Sequence, residues 1–495
     1  MKRHLIGIGG VGMSALATAL VRLGDEVTGA DRTLGTPNIR FLEALGVKVF
    51  PDDGSGVDRT TDEVIVSTAI EETNAGLVQA KELGIPVTHR AKALSRTLKD
   101  YKLVAVVGTC GKSTVTAMLG HVLAECGLDP MCVNGANVPG WEGAVRFGKG
   151  AYAVAEVDES DKSLVAFKPY AAIVTNASAD HYSKEEMDEV FDAFIRDCEG
   201  PVVDGRKENC SIVRLGDCSI ERLRAVLPIP GKHNLQNAEH AVRMAVALGV
   251  PLDRAIAAMK SFRGVEWRLQ LITPPIPQSP NPPIPQSSNP PITQSPNPPI
   301  TQSPNPPITQ SPNPPITQSP VVYDDYAHNP EKLRAMWTTL AEKHPEGICV
   351  VWRPHGYAPL RKMMDALAAM FAETIRPCDK LLLLPVYDAG GTTDRSVNSD
   401  ALVAKIESLE SLESIGSIGS LGSIGSLESR ESLGARGAAE STVNLISRDS
   451  QVTLISDLEA AYRWCAAHKS DYAAFVTCGA RDPGLPLLAK RLSEM

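Results

Sequence analysis

A chain of 495 residues is long enough for roughly two to four domains. Its 43% apolar and 22% charged residues are typical of globular proteins, and its net charge of −9 argues against a nucleic-acid-binding surface. Ten cysteines without a CxxC pair indicate reduced thiols. No apolar run reaches the roughly 18 residues that a membrane span needs. We therefore expect a cytoplasmic protein without nucleic-acid or membrane partners. The sequence does not indicate its oligomeric state.

Two low-complexity tracts interrupt the chain. Residues 273–320 repeat an octapeptide of the form NPPITQSP, and residues 407–440 repeat Ser-Leu-Glu and Ser-Ile-Gly units. The first is too rich in proline to form a packed core, and glycine and serine weaken any helix in the second. We predict that both are disordered, the second as an insertion in the last domain. Partner binding by either tract is the alternative.

Outside these tracts, short apolar runs alternate with amphipathic helical stretches, which predicts an α/β fold with buried parallel strands. Helices are expected over 113–125 and 235–248. The expected strands are residues 4–9, 64–67, 103–107, 153–157, 171–175, 348–352, 380–386 and 473–477. The predicted domains are 1–98, 99–272 and 321–495.

A glycine-rich turn follows the first predicted strand. Gly7, Gly9 and Gly12 satisfy GxGxxG, Gly10, Met13 and Ser14 complete the turn, and Asp31 ends the next strand. In such a turn the backbone approaches a diphosphate, and the following helix N-terminus attracts its charge. The diphosphate can belong to a nicotinamide dinucleotide or to a UDP-sugar. An ordinary strand–turn–helix corner is the alternative.

A second glycine loop, residues 104–114, has the form strand, GTCGKST, helix. Its amides and Lys112 can hold the phosphates of a nucleoside triphosphate, and the Ser113 hydroxyl can bind Mg²⁺. Val106 stands where the longer eight-residue pattern has its first glycine, yet the short form is specific between a strand and a helix. A dehydrogenase has no use for this loop.

Polar residues follow two further strands. Glu156, Asp158, Glu159 and Asp161 come after one strand, and Asn176, Asp180 and His181 come after the next. Carboxylates at strand ends near a phosphate loop are suited to hold Mg²⁺, directly or through water. Solvated acidic turns are the alternative for any one of them.

With these motifs the chain resembles the Mur ligases, and among them the members that add L-alanine to UDP-N-acetylmuramate. The resemblance is collinear over nearly the whole chain apart from the two tracts. It rests on the segments HLIGIGGVGMSALA, STAIEETN, HRAKAL, GTCGKST, AEVDESDKSL, TNASADH, PGKHNLQNA, DDYAHNP, RPHGY and VYDAG. It implies three domains: a Rossmann-like UDP-binding domain, a central P-loop ATPase domain and a Rossmann-like C-terminal domain.

The resemblance also implies the site residues, with ATP and Mg²⁺ as cofactors. The implied catalytic residues are Lys112, Glu156 and His181, and the implied Mg²⁺ ligands are Ser113, Glu156 and His181. The ATP site would comprise Gly108, Thr109, Gly111, Lys112, Ser113, Thr114, His233, Asn234, Asn237, Arg268, Asp325 and His328. The UDP-sugar site would comprise Gly9, Gly10, Gly12, Met13, Ser14 and Asp31. The amino-acid pocket would comprise His355, Tyr357 and Arg361.

The implied reaction joins a UDP-sugar acid to an amino acid through an acyl phosphate, because a carboxylate is a poor electrophile until it is phosphorylated. The sequence departs from the family pattern in three places. Cys110 replaces a histidine of the phosphate loop, and Trp267 replaces one arginine of a pair. RPHGYAP lacks both arginines of the family's PHRYTR segment, so Arg361 is the expected substitute.

Three other functions remain open at this stage. A related ligase would add another amino acid or a recycled peptide to the same nucleotide sugar. An inactive nucleotide-binding scaffold would use the repeats as interaction arms, although it would not require Lys112, Ser113, Glu156, His181 and Asp325 together. An NAD dehydrogenase rests only on GxGxxG and Asp31.

Overall fold

The computed structural model describes residues 1–158, 163–177, 184–207, 215–272, 321–388, 394–419, 451–480 and 482–495. They form three α/β units, each built on its own largely parallel sheet. All eight strands that the sequence predicts are present, with end points that differ by a few residues. They were predictable because strands buried on both faces are continuous apolar runs.

The first unit has an all-parallel sheet with the strand order β3-β2-β1-β4-β5. Its strands are β1 (Lys2–Ile6), β2 (Glu26–Asp31), β3 (Lys48–Pro51), β4 (Glu63–Val66) and β5 (Val87–His89). Its helices are α1 (Val11–Arg22), α2 (Pro37–Ala44), α3 (Ala75–Glu82) and α4 (Arg90–Thr97). The order reverses direction at β1, and the glycine turn follows that strand, where ligands of such sheets bind.

The second unit has the strand order β11-β10-β6-β9-β7-β8, and only β8 is antiparallel to its neighbour. Its strands are β6 (Lys102–Val107), β7 (Met131–Val133), β8 (Val145–Arg146), β9 (Tyr152–Glu156), β10 (Ala171–Val174) and β11 (Val202–Asp204). Its helices are α5 (Lys112–Glu125), α6 (Lys184–Arg196), α7 (Asp217–Val226), α8 (Lys232–Ala247) and α9 (Leu252–Ala258). The two predicted helices correspond to α5 and α8.

The third unit has the strand order β12-β13-β17-β14-β15-β16, parallel except for β12. Its strands are β12 (Gln270–Ile272), β13 (Val321–Asp325), β14 (Ile348–Trp352), β15 (Lys380–Leu383), β16 (Val452–Leu454) and β17 (Ala474–Cys478). Its helices are α10 (Pro330–Lys343), α11 (Tyr357–Thr374), α12 (Ser399–Gly419), α13 (Leu458–Ala467) and α14 (Gly484–Ser493).

Two predicted boundaries need correction. The central domain does not extend to residue 272, because β12 forms a ladder with β13 in the third sheet. The second low-complexity tract is not a loop from residue 407, because α12 continues to Gly419. Leucine and glutamate favour this helix and Ile406 anchors it in the core. The rest of that tract and the whole of 273–320 lie outside the described residues.

Apolar packing joins the first two units into one body. Leu16 and Leu20 on α1 belong to the same buried cluster as Met131 and Val145 of the central unit. In the third unit, α10, α11 and α12 cover one face of the sheet, and α13 and α14 cover the other. The strands β6 and β13 are packed within these buried clusters, which fix the positions of their carboxyl ends.

Replacing residues 273–320 by a short glycine-serine turn is expected to leave the melting temperature unchanged or slightly higher. The tract connects two paired strands, since Ile272 lies opposite Val322. Each halving of a loop's length lowers its closure cost by about 0.6 kcal/mol. Thermal unfolding of the shortened chain, beside a chain with a scrambled tract of equal length, measures this. A large fall in the shortened chain alone would contradict it.

Candidate active site

A cavity of about 520 Å³ lies between the central unit and the third unit. Most of its wall comes from the phosphate loop, the start of α8 and the start of α10. Of the residues implied for ATP or Mg²⁺, it is lined by Thr109, Gly111, Lys112, Ser113, Thr114, Glu156, His233, Asn234, Asn237, Arg268 and Asp325. Residues separated by more than two hundred positions in the sequence therefore meet at one place.

The phosphate loop is held in a conformation that glycine alone adopts readily. Gly108 and Gly111 have φ angles of 128° and 85°, a region that strains other residues. A Cβ on Gly111 would lie 2.5 Å from the Asn237 amide oxygen, so that α8 packs directly on the loop. Lys112 donates a hydrogen bond to the Gly108 carbonyl at 2.7 Å. Gly108 itself does not line the cavity.

Two residues after β10 fix the loop from the other side. The Asn176 amide oxygen accepts from the Thr109 hydroxyl at 2.7 Å and from the Cys110 N–H at 3.0 Å. The Cys110 carbonyl accepts from the Asn176 amide at 2.9 Å and from the Thr175 hydroxyl at 2.6 Å. The loop is therefore rigid before any ligand binds. The sequence indicated Asn176 only as a strand-end residue.

Oxygen atoms suited to a hard cation lie on the same wall. Glu156 ends β9, and its carboxylate accepts from the Gly135 N–H at 2.7 Å. Ser113 and Asp158 also line the cavity. Hydroxyl and carboxylate oxygens are the ligands that Mg²⁺ prefers. His181, Glu159, Asp161 and Asp180 lie outside the described residues.

The start of α8 contacts the third unit. His233 Nδ1 lies 3.5 Å from the Thr339 hydroxyl of α10, and burial lowers the pKa of the His233 side chain. Asn234 donates to the Pro230 carbonyl at 2.7 Å. The cavity wall on α10 includes Lys332, which the sequence did not indicate because no motif marks it.

Asp325 joins the segment before β12 to the third sheet. One carboxylate oxygen accepts from the Leu269 N–H at 2.6 Å and the other from the Ala327 N–H at 2.7 Å. Burial raises the pKa of Asp325 to about 6. The guanidinium of Arg268 lies over the Tyr326 ring, 5.2 Å from its centroid. The carboxylate thus fixes the backbone next to Arg268.

His328, His355 and Tyr357 do not line the cavity. His328 donates from Nδ1 to the Tyr326 carbonyl at 2.8 Å, and its ring lies 4.7 Å from that of His355. Burial, together with the nearby positive charge of Lys332, lowers the pKa of His328 to about 4. The Arg395 guanidinium lies 5.9 Å from the Tyr357 ring centroid.

Arg361, the expected substitute for the missing arginines, is engaged elsewhere. Its guanidinium lies 2.7 Å from an Asp394 carboxylate oxygen, and it donates to the Asp394 carbonyl at 2.8 Å. It also donates to the Ser396 hydroxyl at 3.3 Å. This pair is on the surface, with 43% of the Arg361 side chain exposed.

The glycine turn of the first unit does not line the cavity between the central and third units. The Gly9 N–H donates to an Asp31 carboxylate oxygen at 2.8 Å, and the Gly9 carbonyl accepts from Asn38 at 2.9 Å. Asp31 therefore shapes the turn. A Cβ on Gly12 would lie 2.7 Å from the Arg90 guanidinium, which brings a positive charge to the turn. The sequence singled out the HRAKAL segment that contains Arg90 without giving this residue a role.

The first turn of α1 lies between the glycine turn and the central unit. The Ser14 N–H donates to the Gly10 carbonyl at 2.8 Å, and Met13 is buried. Ser14 also lines a second cavity of about 150 Å³, whose wall includes Asn38 and Asn137. Across the described ranges, no helix is long and apolar enough to cross a membrane.

Comparisons with known proteins match both ends of the chain to models of one family. The family model described as "Mur ligase family, catalytic domain" matches residues 2–102, and "Mur ligase, glutamate ligase domain" matches residues 315–481. The UDP-N-acetylmuramate–L-alanine ligase of Rubrobacter xylanophilus is 30% identical over 443 residues, 82% of this chain and 89% of that protein. The ligase of the same name from Rhizobium etli is 28% identical over 452 residues, 82% and 86% of the two chains.

Solved structures share the fold. The UDP-N-acetylmuramate–alanine ligase of Thermotoga maritima has a TM-score of 0.69 at 22% identity, covering 100% of this chain and 98% of that one. A murein peptide ligase of Psychrobacter arcticus has a TM-score of 0.57 at 18% identity, covering 100% and 99%.

The fold and the phosphate-loop cavity define an ATP-dependent enzyme with three α/β units. The chain belongs to the Mur ligase family. The predicted α/β class and three-domain Mur architecture are confirmed.

Proposed function

We propose that this chain joins the carboxylate of UDP-N-acetylmuramate to the amine of L-alanine, with ATP converted to ADP and phosphate. Relatives that align over most of the chain carry this activity in their names. The single observation that carries the proposal is the cavity in which Lys112 and Glu156 of the central unit meet Arg268 and Asp325. We further propose that the reaction takes place in the cytoplasm, where free thiols persist.

The proposed chemistry depends on charge. The substrate carboxylate attacks the γ-phosphorus of ATP, ADP leaves, and an acyl phosphate forms. The amine of the amino acid then attacks the acyl carbon, phosphate leaves with its electron pair, and the nitrogen releases one proton to solvent. Lys112 and the loop amides neutralise the transferred phosphoryl group, and Arg268 approaches it from the opposite wall.

Mg²⁺ fits the oxygen donors that the cavity offers. Ser113 and Glu156 would hold it, together with phosphate oxygens and water. When bound, it would neutralise phosphate charge and polarise the phosphoryl group. Because Glu156 is held by the Gly135 N–H, its carboxylate is oriented before a cation arrives. His181 is retained in this proposal only from the resemblance.

The glycine turn is the proposed UDP-sugar site. The α1 N-terminus attracts an anionic diphosphate, and Arg90 lies beside Gly12. Asp31 is proposed to act through the backbone by holding Gly9. The acceptor amino acid is proposed to bind beside the third unit, near His355 and Tyr357.

The test is ATP hydrolysis measured with each substrate present or absent. The proposal predicts ADP release that requires both UDP-N-acetylmuramate and L-alanine. Release with a peptide in preference to alanine would identify a peptide-adding ligase. ATP turnover that is independent of both substrates, or no turnover at all, would contradict a ligase function.

A further inference from the structure

The carboxyl edge of the third sheet contains a buried ion pair. Arg353 donates from one terminal guanidinium nitrogen to an Asp482 carboxylate oxygen at 2.6 Å. Only 16% of the Arg353 side chain and 6% of the Asp482 side chain are exposed. The other Asp482 oxygen accepts from the Gly484 N–H at 2.8 Å. The Gly484 N–H orients the Asp482 carboxylate, and this carboxylate in turn orients the Arg353 guanidinium.

This pair lies where the strand order of the sheet reverses. Strand β17 lies between β13 and β14, and Cys478 pairs with both Asp325 and Trp352. Arg353, the residue after Trp352, leaves the sheet at the same edge as Asp325. Two strand spacings separate them, or about 10 Å. In sheets of this kind the crevice at such a point binds the ligand.

Part of the Arg353 guanidinium is left without a partner. Its Nε–H is buried and makes no hydrogen bond with the described part of the chain. A buried donor without an acceptor is unfavourable, and the Nε edge of a guanidinium matches a carboxylate with two parallel N–H donors. Arg361 and Arg395, by contrast, pair with Asp394 and Asp388 on the surface, with 43% and 47% of their side chains exposed.

We infer that Arg353, positioned by Asp482, recognises the α-carboxylate of the acceptor amino acid. This inference rests on the proposed function, which supplies an amino acid with a free carboxylate as the second substrate. The carboxylate would take the Nε edge of the guanidinium while Asp482 keeps the other end. Arg353 would then replace the arginines that the RPHGYAP segment lacks, and Arg361 would not.

The test compares L-alanine with L-alaninamide, which has the same amine and no carboxylate. The key variant is Arg353→Gln combined with Asp482→Asn, because it removes both charges and leaves no buried carboxylate unpaired. We expect the wild-type enzyme to prefer alanine by at least about tenfold in kcat/KM. We expect the double variant to lose this preference while its rate with alaninamide stays close to the wild-type rate.

Two further variants distinguish recognition from support of the fold. Arg353→Lys keeps the charge but not the two-point geometry, so an intermediate preference for alanine over alaninamide is expected. If the ion pair only supports the fold, Arg353→Lys should keep the wild-type preference. Arg491→Gln, which removes an exposed Arg–Glu pair of the same unit, should change neither rate. Melting temperatures show which variants are folded.

The inference is overturned if the folded double variant keeps the wild-type preference, or if both substrates lose rate equally. It is also overturned if Arg361→Gln removes the preference. A wild-type enzyme that forms no product with alanine, alaninamide, glycine, serine or a short peptide instead refutes the proposed function. That outcome is seen before any variant is made, so the two failures are distinguishable.

Discussion

Replacing Lys112 by alanine is expected to lower kcat by about 10³-fold or more while UDP-N-acetylmuramate still binds with nearly wild-type affinity. Lys112 lies in the phosphate loop of the central unit, whereas the glycine turn belongs to the first unit. Removing one preorganised charge from a phosphoryl-transfer site typically costs about 10²–10³-fold, and more where the charge is central. Product formation and calorimetric titration with the UDP-sugar measure the two effects.

A suitable control is Lys260→Ala, because Lys260 is an exposed lysine of the same unit. It should change neither quantity. If Lys112→Ala were folded and had lost UDP-sugar binding as well, the two substrates would not occupy separate sites. The assignment of the glycine turn to the UDP-sugar would then be wrong.

Replacing Asp325 by asparagine is expected to lower kcat/KM by on the order of 10²-fold, because a displacement of about 1 Å at a reacting centre has that effect. The Asp325 carboxylate accepts from both the Leu269 N–H and the Ala327 N–H. An amide has only one acceptor oxygen, so one of these bonds is lost and Arg268 is no longer held in place. Steady-state kinetics measure the loss, with Asp471→Asn, an exposed aspartate of the same unit, as the control.

The pH dependence gives Asp325 a second signature. Burial raises its pKa to about 6, and burial also raises the pKa of neighbouring Asp324 to about 7. Protonation removes one acceptor, so activity should fall as the pH decreases through about 6. The stability contribution has the opposite sign. Because the pKa is higher in the folded state than in the unfolded state, the folded protein binds this proton more tightly. The contribution of Asp325 to the free energy of unfolding is therefore full below its unfolded-state pKa and is lost as the pH rises through about 6.

The Asp325→Asn variant should lack the acidic limb of the pH–rate profile that belongs to this group. Arg268, Lys332 and Cys478 also lie in its electrostatic environment. These three residues remain in the variant, so any difference between the wild-type and variant pH–rate profiles is assigned to the Asp325 carboxylate. An unchanged acidic limb in the variant would show that another group titrates there, and the role given to Asp325 would be contradicted.

Contiguous motifs were predictable from the sequence, and long-range partners were not. Lys112 and Ser113 lie within one loop whose spacing already fixes their relation to a bound phosphate. The contact of Gly111 with Asn237, or of His233 with Thr339, forms only when separate helices pack together. No local pattern encodes such contacts.

The features that the sequence did not predict have similar causes. Strands β7, β8, β12 and β16 have only two or three residues, too few to show a periodic pattern. The pairing of Arg361 with Asp394 on the surface was not predictable, because the two residues are distant in the sequence. The Arg353–Asp482 pair was missed for the same reason, since more than one hundred positions separate its members.

The most direct test of the account is the fate of oxygen-18 placed in the carboxylate of UDP-N-acetylmuramate. An acyl phosphate transfers one carboxylate oxygen to the phosphate that the amine displaces. We therefore predict that mass spectrometry will find one labelled oxygen in the released phosphate, together with an amide product of UDP-N-acetylmuramate and L-alanine. Unlabelled phosphate, or ATP consumption without an amide product, would contradict the account.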